Sequence, residues 1–156
     1  ILLKKKIHTS NLLSKYFVNK YYLPNLNLNL STKLMSIANT SIDISDGLIA
    51  DLERLINKQK FSYKLNLNNI PISKNLKKLL IQKKLNKISF ISQGDDYQIL
   101  FTANSSKSGI IHKTAKSSGI KISKIGKICS NRQKSQIIDK KGNKIAIKIK
   151  GYSHSF

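Results

Sequence analysis

Six of the seven acidic residues in this 156-residue chain fall in two short segments. Asp43, Asp46, Asp51 and Glu53 lie in SIDISDGLIADLERL, and Asp95 and Asp96 lie in SQGDDYQILF, with Asp139 as the seventh. The chain also carries 29 Lys and Arg and a formal net charge of +22, so carboxylates gathered in this way are not explained by solubility. The chemistry that most often gathers them is a hard cation such as Mg²⁺, which takes oxygen ligands and bridges to substrate phosphate.

The elements that must position these groups follow from local pattern. TSIDI is short and β-branched and reads as a strand, which delivers Asp43 and Ser45 to one side because side chains alternate with a period of two. Leu48, Ile49, Leu52, Leu55 and Ile56 then form the apolar stripe of a helix with Ser45 or Asp46 at its start. A helix N-terminus offers N–H groups and partial positive charge to phosphate, and carboxylates beside it repel phosphate unless a divalent metal stands between. The competing reading makes Ser45 or Asp46 a simple N-cap worth about 1 kcal/mol, which leaves Asp43 unexplained. Asp51 and Glu53, off the apolar stripe, read as a solvated face. Asp95 and Asp96 are adjacent and follow Gly94, which permits a tight turn; only beside the first cluster do they become a site.

The rest of the chain alternates helices and strands. Helical spacing runs over 11–22 and stops at Pro24, the Asn/Leu alternation of 25–30 reads as a loop, and Ser31 is a candidate N-cap for a helix through Ala38. FSYKLNL alternates as a half-buried strand, and Ser73 starts a helix carrying Leu76, Leu79 and Leu80. Tyr97 to Thr102 is a strand, and Lys107 to Ser118 is a helix ending at Gly119. Strands follow at 121–129, 136–138 and 144–149, with Asp139 to Asn143 as a hairpin turn. The fold class expected is α+β, a layered mixed sheet with helices in a single domain spanning 1–156.

Composition narrows the function classes. No apolar run approaches the roughly 18 to 20 residues needed to cross a bilayer, so no membrane partner is expected. One cysteine, Cys129, rules out an internal disulfide and fits a reducing cytoplasm. His8, His112 and His154 share no metal-ligand spacing. The basic charge raises nucleic acid as a partner, and a basic nucleic-acid-binding module is the alternative to a metal–phosphate site. Against it, Arg54 and Arg132 are the only arginines, the lysines are scattered, and guanidinium is the group that recognises base edges and phosphate bidentately. No specific nucleic acid is expected. The chain begins at Ile1 without a methionine, which points to a fragment of a longer protein.

SIDISDGLIADL, QGDDYQILFT, a KIGKI strand and a terminal GYSHSF occur in the order that marks thiamine-monophosphate kinase, and from residue 10 to 156 the chain resembles that family. The family's pattern reads A-x-D-I-S-D-G-L-x-x-D-L, then G-G-E-D-Y-E-L-L-F-T, then I-G-x-I, then G-Y-D-H-F. It sits in the aminoimidazole ribonucleotide synthetase-like superfamily. The resemblance implies the C-terminal domain of a two-domain kinase, truncated at its N-terminus, with the N-terminal ATP-binding domain as a missing partner and a homodimer as a possible assembly. It implies an ATP-dependent, Mg²⁺-dependent phosphoryl transfer to thiamine monophosphate, giving thiamine diphosphate, with the fragment alone inactive; an inactive relic of the kinase is the remaining alternative. Carried over by position, Asp43 and Asp46 are Mg²⁺ ligands and Ser45 contacts ATP phosphate. Asp95 stands where the family has a Glu that contacts the thiamine substrate, and Tyr152 and Phe156 border that substrate. No catalytic nucleophile is implied. Gln93, Asp95, Gln98 and Ser153 depart from the family pattern.

Overall fold

A computed structural model describes residues 7–25, 28–57, 60–130 and 132–146. The clearest determinant of the fold is the helix Leu48–Asn57 (α3 in chain order), whose residues Leu48, Ile49, Leu52 and Ile56 are all buried, as their helical spacing predicts. Before it come α1 (Asn11–Tyr22), α2 (Leu28–Leu34) and β1 (Thr40–Asp43). After it come β2 (Phe61–Asn66), α4 (Lys74–Gln82), α5 (Lys87–Ile91), β3 (Ile99–Thr102), α6 (Ser108–Ser118), β4 (Gly126–Ser130), β5 (Gln136–Ile138) and β6 (Lys144–Ile145).

The strands form two sheets. β1 pairs antiparallel with β3, Thr40 opposite Thr102 and Asp43 opposite Ile99. The other sheet has the order β4-β2-β5-β6, antiparallel except for the parallel β2–β5 pair, so the mixed α+β layering expected from sequence is present as two sheets rather than one. α3 touches both β1 and β2, and its stripe joins Ile44 and Leu100 from one side to Tyr63, Leu65 and Ile137 from the other in a single core. Burying a Leu or Ile side chain is worth about 1.5–3 kcal/mol, which makes α3 the element that ties the sheets together.

Several elements stand as their sequences predict. Ser73 caps α4 by accepting from the Leu76 N–H, as read; Ser10, not singled out in the sequence, does the same for α1 from the Leu13 N–H. α6 ends at Gly119, whose φ of 63° is the left-handed region that a helix C-terminus favours. Asp139 closes the β5–β6 turn, its Oδ1 accepting from the N–H groups of Lys141 at 2.8 Å and Asn143 at 2.9 Å.

Other segments differ. α2 begins at Leu28, inside the expected loop, because Leu30, Leu34 and Ile37 are buried at helical spacing; Ser31 lies within the helix, which ends at Leu34 rather than Ala38. α5 has no counterpart in the sequence reading; Asn86 caps it and Ile91 buries from it into the core. The strand expected from 121 begins only at Gly126, and residues 147–149 of the last one lie outside the described residues. No described helix is long and apolar enough to cross a membrane.

Candidate functional site

The two acidic segments meet. The β1–β3 ladder continues past its last strand pair into the loops beyond, where Ile44 N–H donates to the Gln98 carbonyl at 2.9 Å and Tyr97 N–H donates to the Ile44 carbonyl at 2.9 Å. Asp95 N–H then donates to the Ser45 carbonyl at 2.8 Å, setting the GDD turn directly against the ISDG loop. Two glycines make the approach possible. A Cβ on Gly94 would stand 1.9 Å from the Ser45 carbonyl oxygen, and one on Gly47 would stand 2.8 Å from the Ser92 carbonyl oxygen. Gly47 also has φ 124°, which side-chain-bearing residues rarely adopt.

Asp43, Asp95 and Asp96 are exposed, and Ser45 and Asp46 are partly so. Asp43 shares the outward face of β1 with Ser41, opposite the inward Ile42 and Ile44, as strand alternation requires. Asp95 and Tyr97 both hold positive φ, 66° and 49°, a cost concentrated where the two loops lock. The Tyr97 hydroxyl donates to Asp95 Oδ1 at 3.3 Å, and the Asp95 charge is the main cause of the raised Tyr97 pKa. Although Asp96 keeps an exposed surface, the protein around it and then the Asp95 charge push its carboxyl up to about 6. Backbone hydrogen bonds thus join the segment carrying Asp43, Ser45 and Asp46 to the one carrying Asp95. Tyr152 and Phe156 lie outside the described residues.

Three residues of this region were misread or missed: Asp51, Arg54 and Glu53. Asp51, expected on a solvated face, is fully buried. Its Oδ2 accepts from the N–H groups of Ser45 at 3.0 Å, Asp46 at 3.0 Å and Gly47 at 3.1 Å. These donors, read from sequence as open to a phosphate, are therefore held by the protein's own carboxylate. Arg54 completes the arrangement, donating to Asp51 Oδ1 at 3.1 Å and to Asp46 Oδ2. The signal that could have found Asp51 is its place in the first turn of α3, four residues after Gly47, where a carboxylate can reach back to N–H groups. Glu53 is not free in solvent either, since its Oε1 accepts from the hydroxyl of Tyr63 at 3.2 Å.

As a donor set for Mg²⁺, Asp43 and Asp46 supply two carboxylates, and Mg²⁺ is ordinarily held by one or two carboxylates together with waters and substrate phosphates. The residue types fit that mode, with Asp46 Oδ2 held by Arg54 in this structure. They do not make an all-protein cage: among the described residues no three His, Cys, Asp or Glu side chains are grouped to hold a metal ion. An open depression of about 470 Å³ lies elsewhere, lined by His8, Thr9, Ser10, Leu13, Gln82 and Lys83, and contains none of the acidic residues.

No protein-family model matches the chain. Among curated proteins it is 34% identical over 155 residues to the thiamine-monophosphate kinase of Buchnera aphidicola subsp. Schizaphis graminum, covering 98% of this chain and 47% of that protein. It is 24% identical over 139 residues to the thiamine-monophosphate kinase of Escherichia coli strain K12, covering 89% of this chain and 42% of that protein. The chain therefore spans about half the length of the curated relatives it matches. Among solved structures, AaThiL complexed with AMPPCP and TMP superposes with a TM-score of 0.73 at 23% identity, covering 99% of this chain and 45% of that one. The thiamine-monophosphate kinase of Stenotrophomonas maltophilia K279a gives 0.68 at 24% identity, covering 86% and 41%. The chain has the fold of the corresponding part of these kinases, and its sequence resembles theirs along nearly its whole length.

Proposed function

We infer that this chain is a member of the thiamine-monophosphate kinase family and forms, over residues 1–156, the C-terminal domain of an enzyme that transfers the terminal phosphoryl group of ATP to thiamine monophosphate, giving thiamine diphosphate and ADP. The observation that carries this reading is the hydrogen-bonded interlock of the two acidic loops, Asp95 N–H on the Ser45 carbonyl at 2.8 Å, which gathers Asp43, Ser45, Asp46 and Asp95 in one place. The likeness to kinases, one of them solved with AMPPCP and TMP, supports the substrate class.

In this reading Asp43 and Asp46 hold Mg²⁺, the Ser45 hydroxyl contacts an ATP phosphate oxygen, and Asp95 contacts the thiamine substrate. Tyr152 and Phe156 border that substrate, an assignment that rests on the sequence resemblance alone. Bound Mg²⁺ supplies charge neutralisation at the transferring phosphoryl group. The chain's own residues position: phosphoryl transfer through a loose transition state needs alignment and electrostatic stabilisation rather than a protein nucleophile. An ATP-binding domain N-terminal to this one supplies the rest of the site, and the reaction runs in the reducing cytoplasm, where Cys129 stays a free thiol.

The test is Asp46→Asn in the complete kinase. Losing one carboxylate weakens a metal site directly, so turnover falls at least tenfold at ordinary Mg²⁺ while the melting temperature moves little. Turnover equal to the parent's rejects the ligand role. A second arm assays the 156-residue chain with ATP, Mg²⁺ and thiamine monophosphate, alone and mixed with a separately expressed ATP-binding domain. Alignment terms are worth about 7–11 kcal/mol, so the chain alone is inactive, and robust thiamine diphosphate formation by it refutes a site shared between domains.

A further inference from the structure

Three successive N–H groups, those of Ser45, Asp46 and Gly47, converge on one carboxylate oxygen, Asp51 Oδ2, at 3.0, 3.0 and 3.1 Å. Successive N–H groups pointing to one spot form a concavity that binds anions, and here the anion belongs to the chain. Asp51 is 0% exposed, a burial that a carboxylate tolerates only when its oxygens are saturated with donors. Arg54 provides the remaining donor on Oδ1 at 3.1 Å and bridges from there to the Asp46 carboxylate, its own side chain 55% exposed.

An ordinary capping interaction would not look like this. A cap satisfies N–H groups of the first helical turn, whereas α3 begins at Leu48 and all three donors precede it. The bonds therefore order the loop rather than the helix. The loop is also the segment whose Ser45 carbonyl receives the Asp95 N–H, so the same carboxylate underlies the contact between the two acidic segments.

We propose that Asp51 is the positioning residue of the site: a built-in anion that fixes the backbone from which Ser45 and Asp46 project and, through Arg54, ties the Asp46 carboxylate to that backbone. The roles of Ser45 and Asp46 rest on the kinase reading above; the positioning does not.

The experiment uses the full chain and three variants, Asp51→Ala, Asp51→Asn and Arg54→Gln, with amide hydrogen exchange at Ser45, Asp46 and Gly47 as the primary readout. The amides of Asn66 and Leu85, bonded to the Ile125 and Leu80 carbonyls away from the two loops, serve as references for general loosening. In Asp51→Ala the three loop amides exchange at least tenfold faster than in the parent, relative to the references. Asp51→Asn keeps one acceptor oxygen and gives an intermediate acceleration, which carries the test if the alanine variant does not fold. Arg54→Gln leaves the loop amides protected and shifts the Asp46 carboxyl carbon resonance. Loop and reference amides accelerating together, or loop amides unchanged in a folded Asp51 variant, overturn the proposal. A parallel titration with Mn²⁺ separates it from the kinase reading. Paramagnetic broadening at Ser45 and Asp46 that requires several-fold more Mn²⁺ in the Asp51 variants supports the positioning of a metal site. Absence of broadening in the parent, with the exchange pattern as stated, rejects the metal role and leaves Asp51 as the organiser of the loop.

Discussion

Gly94→Ala is the sharpest single perturbation of the interlocked loops. The added Cβ would lie 1.9 Å from the Ser45 carbonyl oxygen, 2.9 Å from the Ser45 carbonyl carbon and 3.1 Å from Asp46 Cα, all backbone atoms. The first distance is more than an ångström short of the 3.0 Å that real Cβ contacts respect, and no side-chain rotation can relieve it. The GDD turn must move away, and the Asp95 N–H to Ser45 carbonyl bond is lost with it. Overpacking typically costs about 1–3 kcal/mol and a lost hydrogen bond about 1 kcal/mol, so the variant is destabilised by about 2–4 kcal/mol. Gly109→Ala is the matched control, because that glycine lies in α6 with nothing within 4 Å of its added Cβ. There the same methyl group stabilises by about 0.5–1 kcal/mol through helix propensity. Urea unfolding of the parent and both variants measures the difference directly. A Gly94→Ala chain within 0.5 kcal/mol of the parent would show that the loops are not held together as described, since a rigid contact of this length cannot be accommodated at no cost.

Tyr63→Phe removes the hydroxyl that donates to Glu53 from a residue only 2% exposed, so stability falls by about 1–2 kcal/mol, and an unchanged urea midpoint would deny that bond any weight. Asp139 titrates below the ordinary value of 3.8: burial pulls its pKa upward, but the donors from Asn143, Lys141 and Gly142 outweigh that and favour the charged form. A carboxylate with a lowered folded-state pKa contributes stability above its ordinary value that is lost as pH falls through the lowered one, so the β5–β6 turn loosens only in that acid window. A carbon-detected titration placing the Asp139 midpoint at or above 3.8 contradicts the hydrogen-bonded turn.

What the sequence made legible is what periodicity and local chemistry control. The α3 stripe, the Ser73 cap and the Gly119 stop each depend on residues within one or two turns of one another, and each stands as read. The failures depend on tertiary partners. The Asn/Leu alternation before Ser31 looks like a loop until Leu30, Leu34 and Ile37 find a core to bury in, at which point helical spacing prevails. α5 is a five-residue helix with a weak pattern of its own, recognisable only once Ile91 has a core to enter. Asp51 was misread because helical position alone places it away from the apolar stripe. Its carboxylate is instead drawn inward by donors on the preceding loop, whose backbone geometry no side-chain pattern records.

The same correction sharpens the site. Seven acidic residues in a chain of charge +22 leave few carboxylates for any purpose, and three of them serve local structure away from the paired acidic segments' surface: Asp51 holds the loop, Glu53 the Tyr63 hydroxyl and Asp139 the hairpin turn. The other four lie at the paired segments, Asp43 at the end of β1 and Asp46, Asp95 and Asp96 in the two loops that hydrogen-bond to each other, with Asp46 also held by Arg54 and Asp95 by the Tyr97 hydroxyl. Under the proposed kinase reading, a phosphate-bearing substrate would be drawn to the chain as a whole by its lysines and opposed locally by the exposed carboxylates. A cation shared by carboxylate and phosphate would remove that opposition, and the kinase reading therefore places its metal ligands among the carboxylates rather than among the far more numerous lysines.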